Sequence, residues 1–187
     1  MSKKILVKTQ AVRLNNVNLI TPLAFGDVEK YQTESLVNKK DSKTINAVND
    51  AMDELIAEES KKDGNFADLT DDEKVSLKTD FLKDGNNHEN TAYHQAFYFK
   101  TSNKQKPSMQ KKGSSDQITK QSELYNGVVA RLVIEIDSYK FKNEDNETKR
   151  GFYAKLLGVQ KVKDMDLIDN SLNVNDVFND DGGDDLW

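Results

Sequence analysis

The sequence predicts a mainly β fold of the α+β class, with helices inserted between strands and an acidic segment at the end. Three observations support this prediction. Apolar and polar residues alternate over several stretches, other stretches place apolar residues at helical spacing, and all 27 basic residues precede the last 24 positions. The chain of 187 residues is long enough for one domain with a core and appendages.

The first two strands are predicted over residues 10–20 and 29–37. In the first strand, Leu14 and Leu19 fall on opposite parities, although residues on one face of a strand share parity. The Asn15-Asn16 pair between them therefore predicts a bulge.

Two helices are predicted after these strands. Ser42 is expected to cap the first, which runs to about Ser60 with one apolar stripe: Ile45, Val48, Met52, Leu55 and Ile56. Thr70 and Glu73 form a capping box for a second helix that ends near Leu82. Both helices are interpreted as packing elements.

Residues 92–112 combine an aromatic strand with a basic loop. No acidic residue occurs between Glu89 and Asp116. The aromatic residues are Tyr93, Phe97, Tyr98 and Phe99, and the lysines are Lys100, Lys104, Lys106, Lys111 and Lys112. Such a pattern suits a single-stranded nucleic acid, because bases stack on rings while ammonium groups contact phosphates. The alternative is that the rings belong to the core and the loop is merely solvated.

The last two strands are predicted over residues 125–141 and 151–162, separated by a charged turn. Leu132, Ile134 and Ile136 point to one side of the first of these strands. If the two strands pair, the opposite face holds Arg131, Tyr139, Tyr153 and Lys155, and Lys161 shares the parity of Tyr153. A mixed face of this kind fits a nucleic-acid platform, and it also fits an ordinary half-exposed sheet.

Charge is divided unevenly along the chain. Eight of the 32 acidic residues follow Lys163, so the preceding part carries a net charge of +3 and the end carries −8. A basic body with an acidic end is typical of nucleic-acid binders. We predict a domain over residues 1–165 and a disordered interaction tail over 166–187, with the partner-binding residues Asp180, Asp181, Asp184, Asp185, Leu186 and Trp187.

Several kinds of chemistry find no support in the sequence. Cysteine is absent, and His88 and His94 alone do not make a zinc site, so no metal is expected. There is no glycine-rich phosphate loop, and no nucleophile lies in a recognisable setting. We therefore expect no cofactor and no enzymatic activity. No stretch approaches the length of a membrane span or a signal peptide, which predicts a cytoplasmic protein with no membrane partner.

A series of short motifs resembles one known family, the single-stranded DNA-binding proteins of tailed phages. The motifs span residues 12–162 and occur in the family's order: Arg13-Leu-Asn-Asn-Val17, Phe81-Leu-Lys-Asp-Gly85, Ala96-Phe-Tyr-Phe-Lys-Thr-Ser-Asn-Lys-Gln-Lys-Pro107, Leu124-Tyr-Asn-Gly-Val-Val-Ala-Arg131 and Leu156-Leu-Gly-Val-Gln-Lys-Val162. The acidic tail extends the resemblance. Two features depart from it, since the chain ends in Leu186-Trp187 where family tails usually end in Phe, and the loop over residues 107–123 is long.

The resemblance implies an OB-like five-stranded β-barrel with helical insertions and a DNA groove lined by aromatic and basic residues. It also implies a sequence-independent protein that coats and protects single strands during phage replication and recombination, in the host cytoplasm. Its tail would recruit replication or recombination proteins and occlude the groove. The predicted DNA-binding residues are Tyr93, Tyr98, Lys100, Lys104, Lys106, Arg131, Tyr139, Arg150, Tyr153 and Lys155.

Alternatives to this function stay open. The protein could be a recombination mediator or annealing protein, or a small adaptor that binds no nucleic acid. The sequence leaves homodimer formation open, and it does not separate DNA from RNA as the ligand.

Overall fold

We describe residues 3–171 of the protein from a computed structural model. Within this range the strands are β1 (Ile5–Lys8), β2 (Val12–Phe25), β3 (Val28–Asn38), β4 (Lys83–Asp84), β5 (Ala96–Asn103), β6 (Ser108–Lys111), β7 (Val129–Lys142) and β8 (Thr148–Lys163). The helices are α1 (Ser42–Glu59) and α2 (Asp71–Phe81). Neither helix is long and apolar enough to cross a membrane.

Five of the strands close into a ring. Antiparallel pairs join β2 to β3, β3 to β5, β7 to β8 and β2 to β7, and a parallel pair between β5 and β8 completes the circuit. A five-stranded barrel of this kind is the OB-like arrangement. The predicted fold class, mainly β with helical insertions, is therefore confirmed.

The barrel core follows from strand alternation. On β7, Leu132, Ile134 and Ile136 are at most 1% exposed, as their shared parity predicts. The apolar stripe of α1 is also buried, with Met52 and Leu55 at 0%. The inward face of β7 and the apolar stripe of α1 belong to one hydrophobic core. Burial of this apolar surface is the main driving force for folding.

The two helix starts differ in how well they were predicted. The capping box of α2 is confirmed, because the Thr70 side chain accepts from Glu73 N–H while the Glu73 carboxylate accepts from Thr70 N–H. The predicted cap of α1 is wrong by one residue. Asp41, and not Ser42, accepts a hydrogen bond from the Thr44 backbone N–H at 3.0 Å, since its carboxylate reaches the first turn.

The bulge predicted in β2 is confirmed. The register against β3 shifts between Asn15 and Asn18, and Asn16 has a φ of 50°. Asparagine tolerates this left-handed conformation better than most residues, because its short polar side chain can bond locally.

Three strands outside the ring were missed, and the shortest of them, β4, pairs with β5. β1, near the start of the chain, pairs with β7. β6 runs parallel to β8 and buries Met109 to 1% exposure. The prediction of a purely solvated lysine loop is therefore wrong over Ser108–Lys111, where one inward Met anchors a short strand.

A second bulge lies in β8 and was not predicted. The register against β7 shifts where Val133 faces Gly158 but Ile134 faces Leu156, so Leu157 is an extra residue. Side chains beyond Leu157 change faces as a result. Lys161 shares the parity of Tyr153 but not its face for this reason, and it is 7% exposed.

The described chain continues past the predicted end of the domain. Arg13 Nη2 donates to the Asp166 carbonyl at 2.6 Å, and Ile168 is 3% exposed. Asn170 exchanges hydrogen bonds with Asn15 at 3.0 and 2.8 Å. Residues 166–170 therefore contact the barrel through Ile168 and these hydrogen bonds, while the bounds of the tail stay a prediction.

Candidate nucleic-acid interface

A hollow of about 510 Å³ lies on the outer surface of the barrel, where β5, β7 and β8 run side by side and α2 forms one wall. We call it the aromatic groove. It brings together half of the ten residues predicted to bind nucleic acid: Tyr98, Lys100, Tyr139, Arg150 and Tyr153.

Strand alternation turns the side chains of β5 toward this groove. Phe99 and Thr101 point into the core and are at most 1% exposed. Tyr98 and Lys100 therefore point outward, because neighbouring residues of a strand face opposite sides. The parallel register sets Ser102 beside Lys155 of β8, which extends the outward face across the two strands.

Three aromatic rings form a row on the adjoining β7–β8 hairpin. The ring centroids of Tyr139 and Phe141 are 5.7 Å apart, and those of Tyr139 and Tyr153 are 6.5 Å apart. Tyr153 is 42% exposed and Phe141 is 55% exposed. Rings that are spaced and exposed in this way can each accept a stacked base.

The Tyr153 ring is held in place by a buried acid. Its hydroxyl donates a hydrogen bond to Asp137 Oδ2 at 3.0 Å, and Asp137 is 4% exposed. Burial, followed by this hydrogen bond, raises the pKa of Tyr153 to about 12. The phenol is therefore neutral at physiological pH.

Tyr98 rests on a second aromatic cluster. Its ring meets Tyr93 edge-on at 4.9 Å and His88 edge-on at 5.4 Å. His88 stacks flat on Tyr93, with centroids 3.7 Å apart. Burial, and then the charge of Glu34, raise the pKa of Tyr98. Tyr98 is half-buried, with its outward side in the groove.

Tyr93 does not face the groove. Its side chain is 1% exposed, accepts a hydrogen bond from Asn15 Nδ2 at 2.9 Å and donates one to the Glu34 carboxylate. The cause is local, since Tyr93 ends a short 3-10 turn before β5 begins and so escapes the strand alternation. We correct its assignment from a base-stacking residue to a support for Tyr98.

Sequence reasoning missed an aromatic residue at this site. Phe25 is 48% exposed, and the Lys100 ammonium lies 5.9 Å from the centroid of its ring. The signal that could have found it is an aromatic residue directly before the Gly26-Asp27 turn, since a hairpin tip offers no core to bury a ring.

A smaller hollow of about 380 Å³ continues the aromatic groove, sharing Ser102 and Tyr153 with it. Its cations are Lys30, Lys104 and Lys155. None of the three forms an ion pair with an acid within residues 3–171. We call this part the lysine hollow, and its charges are available to phosphates.

Arg150 lines the aromatic groove, but its guanidinium forms an ion pair with Asp68. Its Nη1 and Nη2 donate to the two carboxylate oxygens of Asp68 at 2.6 and 3.1 Å. Hydrogen bonds from Arg150, and next from Lys140, hold the pKa of Asp68 well below its usual range. Arg150 therefore acts first as a fixed part of the wall.

The groove is not uniformly basic, because Glu34 and Asp80 also line it. The Glu34 carboxylate is anchored by Tyr93 and by Asn16 Nδ2 at 3.0 Å. A fixed carboxylate repels phosphates at close range, so the backbone of a bound strand should follow the lysine side of the groove.

Two predicted residues lie apart from these hollows. Lys106 is exposed and lines none of the hollows found in the described part of the chain. Arg131 lines a separate hollow of about 670 Å³ at the other end of β7, eight residues before Tyr139. The predicted tail residues lie outside the described residues. Within residues 3–171, no group of acidic, histidine or cysteine side chains could hold a metal ion.

Comparisons with known proteins identify a family and a shared fold. Residues 5–186 match the family described as Enterobacter phage Enc34, ssDNA-binding protein. No curated protein matches the chain. The fold is similar to that of the single-stranded DNA-binding protein from bacteriophage Enc34 in complex with ssDNA, with a TM-score of 0.64 and 20% identity over 88% of this chain and 89% of that chain.

A second structure of the single-stranded DNA-binding protein from bacteriophage Enc34 is also similar. It has a TM-score of 0.63 and 20% identity, over 91% of this chain and 88% of that one. A C-terminal truncation of the phage protein has a TM-score of 0.63 and 20% identity, over 87% of each chain. At this identity the likeness supports the shared barrel and not individual contacts.

Proposed function

The chain belongs to the family of single-stranded DNA-binding proteins typified by that of Enterobacter phage Enc34, and from this premise we propose that it binds single-stranded DNA without sequence preference. The observation that supports this most directly is a pair of neighbouring rings, one half-buried and one exposed, beside unpaired lysines. Tyr139 and Tyr153 are the rings, and Lys100 and Lys155 lie next to them.

The proposed binding mode separates bases from phosphates. Bases stack on Tyr98, Tyr139 and Tyr153, and phosphates contact Lys100, Lys104 and Lys155. Stacking makes no distinction between bases, because every base has a π-face. This mode accounts for binding without sequence preference, and it contains no catalytic step.

We propose further that the protein coats and protects single strands during phage replication and recombination, in the host cytoplasm. The family assignment supports this role. The acidic residues from Asp176 onward would recruit replication or recombination proteins and compete with DNA for the groove. Opposite charges in one chain support that competition, since the last basic residue is Lys163 and eight acidic residues follow it.

One experiment tests the proposed function. Fluorescence anisotropy with single- and double-stranded oligonucleotides should show a preference for single strands and an occluded length of roughly 4–16 nucleotides. With four or five phosphates neutralised, log K should fall against log salt with a slope of roughly −3. A preference for duplex, or an affinity independent of salt, would contradict the proposal.

A matched pair of variants tests whether the affinity for DNA depends on a lysine of the aromatic groove. Lys100→Gln should reduce the steepness of the salt dependence by about 0.7 if Lys100 contacts one phosphate. Lys62→Gln removes the same charge from an exposed position outside the groove and should leave the slope unchanged. Equal effects of the two substitutions would point to net charge alone as the cause.

A further inference from the structure

The 670 Å³ hollow that contains Arg131 lies on the outer face of β7, β8 and β6. Its cations are Lys8, Lys43 and Arg131, and none of its lining residues is acidic or aromatic. We call it the basic groove. All three cations are exposed, and none has an ion-pair partner within residues 3–171.

Hydrogen bonds from different elements hold this groove together. The Gln10 backbone N–H donates to Thr44 Oγ1 at 2.8 Å, which ties the start of α1 to the β1–β2 turn and sets Lys43 near Lys8. Thr9 N–H donates to the Leu132 carbonyl at 3.0 Å, and Leu132 N–H donates to Thr9 Oγ1 at 2.9 Å. Three elements therefore present their cations on one supported surface.

The basic groove also continues the path of the other two hollows along β8. The aromatic groove contacts Gly151–Ala154, the lysine hollow contacts Tyr153 and Lys155, and the basic groove contacts Leu157–Gln160. From Tyr153 to Gln160 is about 23 Å at about 3.3 Å per residue. A strand stacked at about 3.4 Å per nucleotide would need about 7 nucleotides to cover it.

Glu34 and Asp80 line the aromatic groove, and Glu135 borders the path beyond it. Glu135 faces Lys155 in the β7–β8 register, and its carboxylate contacts Lys4 Nζ at 3.3 Å. Its charge is thus partly balanced by Lys4, whereas Lys8, Arg131 and Lys155 carry theirs unpaired. The balance of free charge along the outer face of β8 is positive.

We propose that the basic groove binds the sugar-phosphate backbone of the same single strand beyond the aromatic groove, an inference that rests on the proposed function. Without rings it cannot stack bases, so it acts on phosphates. The amides of Gln10, Gln110 and Gln160 and the hydroxyl of Ser108 can add hydrogen bonds to phosphate and sugar oxygens. The site thus has a stacking half and a purely electrostatic half.

Two oligonucleotides and two variants test this inference. A fluorescein-labelled thymidine strand of about 3 nucleotides, about 10 Å long when stacked, reaches only the aromatic end of the path, whereas one of about 20 nucleotides covers all of it. The test variant combines Lys8→Gln, Lys43→Gln and Arg131→Gln. The control combines Lys40→Gln, Lys62→Gln and Lys120→Gln, which remove the same charge from exposed positions outside all three hollows.

At about 0.1 M salt, where exposed charges are screened beyond about 10 Å, the test variant should bind the long strand at least about tenfold more weakly than the control. Its salt slope should be shallower by about 2, because three phosphate contacts are lost. The short strand should bind within about twofold of wild type, since stacking in the aromatic groove governs its affinity. Equal affinities of test and control variants for the long strand would overturn the inference.

Binding of a synthetic peptide of residues 172–187 to the wild type and to the test variant is measured as well. If the test variant lost affinity for this acidic peptide and kept its affinity for the long strand, the basic groove would be a peptide site and the inference would be wrong. Failure of wild type to bind either strand would instead reject the proposed function. The two failures are therefore distinguishable.

Discussion

The Tyr153 hydroxyl donates to Asp137 Oδ2 at 3.0 Å across the β7–β8 pair, where the two residues face each other in register. A carboxylate near a proposed DNA-binding surface would ordinarily repel phosphates. Here Asp137 is 4% exposed and is bonded to the phenol hydroxyl, so it fixes the orientation of the ring while 42% of Tyr153 stays exposed. Asp137 therefore positions the Tyr153 ring without adding a negative charge to the exposed surface.

Two substitutions of Tyr153 distinguish the contribution of its ring to DNA binding from that of its hydroxyl. Tyr153→Ala should weaken binding of single-stranded DNA by about 1–3 kcal/mol, because a stacking surface is lost. Tyr153→Phe keeps the ring and should retain most of the affinity. Anisotropy titrations and melting curves of both variants check this, and a Tyr153→Ala protein with full affinity would remove Tyr153 from the site.

Substitution of Tyr93 should affect stability more than binding. Tyr93→Phe removes a buried hydroxyl bonded to Asn15 and Glu34, which should cost about 1–2 kcal/mol. For a chain of this size each kcal/mol lowers the melting temperature by about 2–4 °C. Calorimetry measures the loss. If DNA affinity fell at an unchanged melting temperature, the Tyr93 ring would have to reach the DNA.

The ion pair of Asp68 and Arg150 should make stability depend on acid pH. Because the pair lowers the folded-state pKa of Asp68, its contribution is present above the unfolded pKa of about 4 and is lost as pH falls through the folded value. Wild type should therefore melt above Asp68→Asn at pH 7, and the difference should shrink toward low pH. Thermal melts across that range measure it.

Asp116→Asn is the control for this pH effect. Asp116 is an exposed carboxylate with no cationic partner within residues 3–171. Its substitution should leave the melting temperature nearly unchanged at each pH. A wild-type advantage over Asp68→Asn that persisted below the folded pKa would mean that packing of Asp68, and not its charge, is responsible.

Removal of residues 176–187 should tighten binding to single strands at low salt. The five acids of this segment compete with phosphates, and the gain should shrink as salt screens exposed charges beyond about 10 Å at 0.1 M. Trp187→Ala keeps every acid, so DNA affinity should hardly change while binding to a replication protein falls. Titrations at two salt concentrations check the first effect, and a pull-down with a phage polymerase or helicase checks the second. Weaker DNA binding after truncation would make the segment part of the site.

Strand parity decides how well the sequence predicted the positions of the candidate side chains. Tyr98, Tyr139 and Tyr153 lie where alternation predicts, because each is on a regular part of its strand. Parity alone misplaces Lys161, since the extra residue Leu157 reverses it, and the adjacent Gly158 is the local signal of such a bulge. Tyr93 was misassigned because it lies outside the strand.

Charge pairing was beyond prediction for a different reason. Arg150 is neutralised by Asp68, a residue 82 positions away in the sequence. Such contacts depend on how α1, α2 and the β7–β8 hairpin pack, and no local pattern encodes them. The fold class was easier, because alternation, helical spacing and the capping box of Thr70 are all local signals.

Closure of the barrel also constrains how the protein is made. In the β2–β7 pair, Val12 faces Ala130 and Arg13 faces Val129. The first strand of the ring therefore pairs with a strand that is synthesised more than a hundred residues later. Contacts between such distant residues slow folding, because a long loop must close before they form. During synthesis the β2–β3 hairpin leaves the ribosome with both outer edges unpaired. The nascent chain therefore needs protection from edge-to-edge association until β8 has emerged.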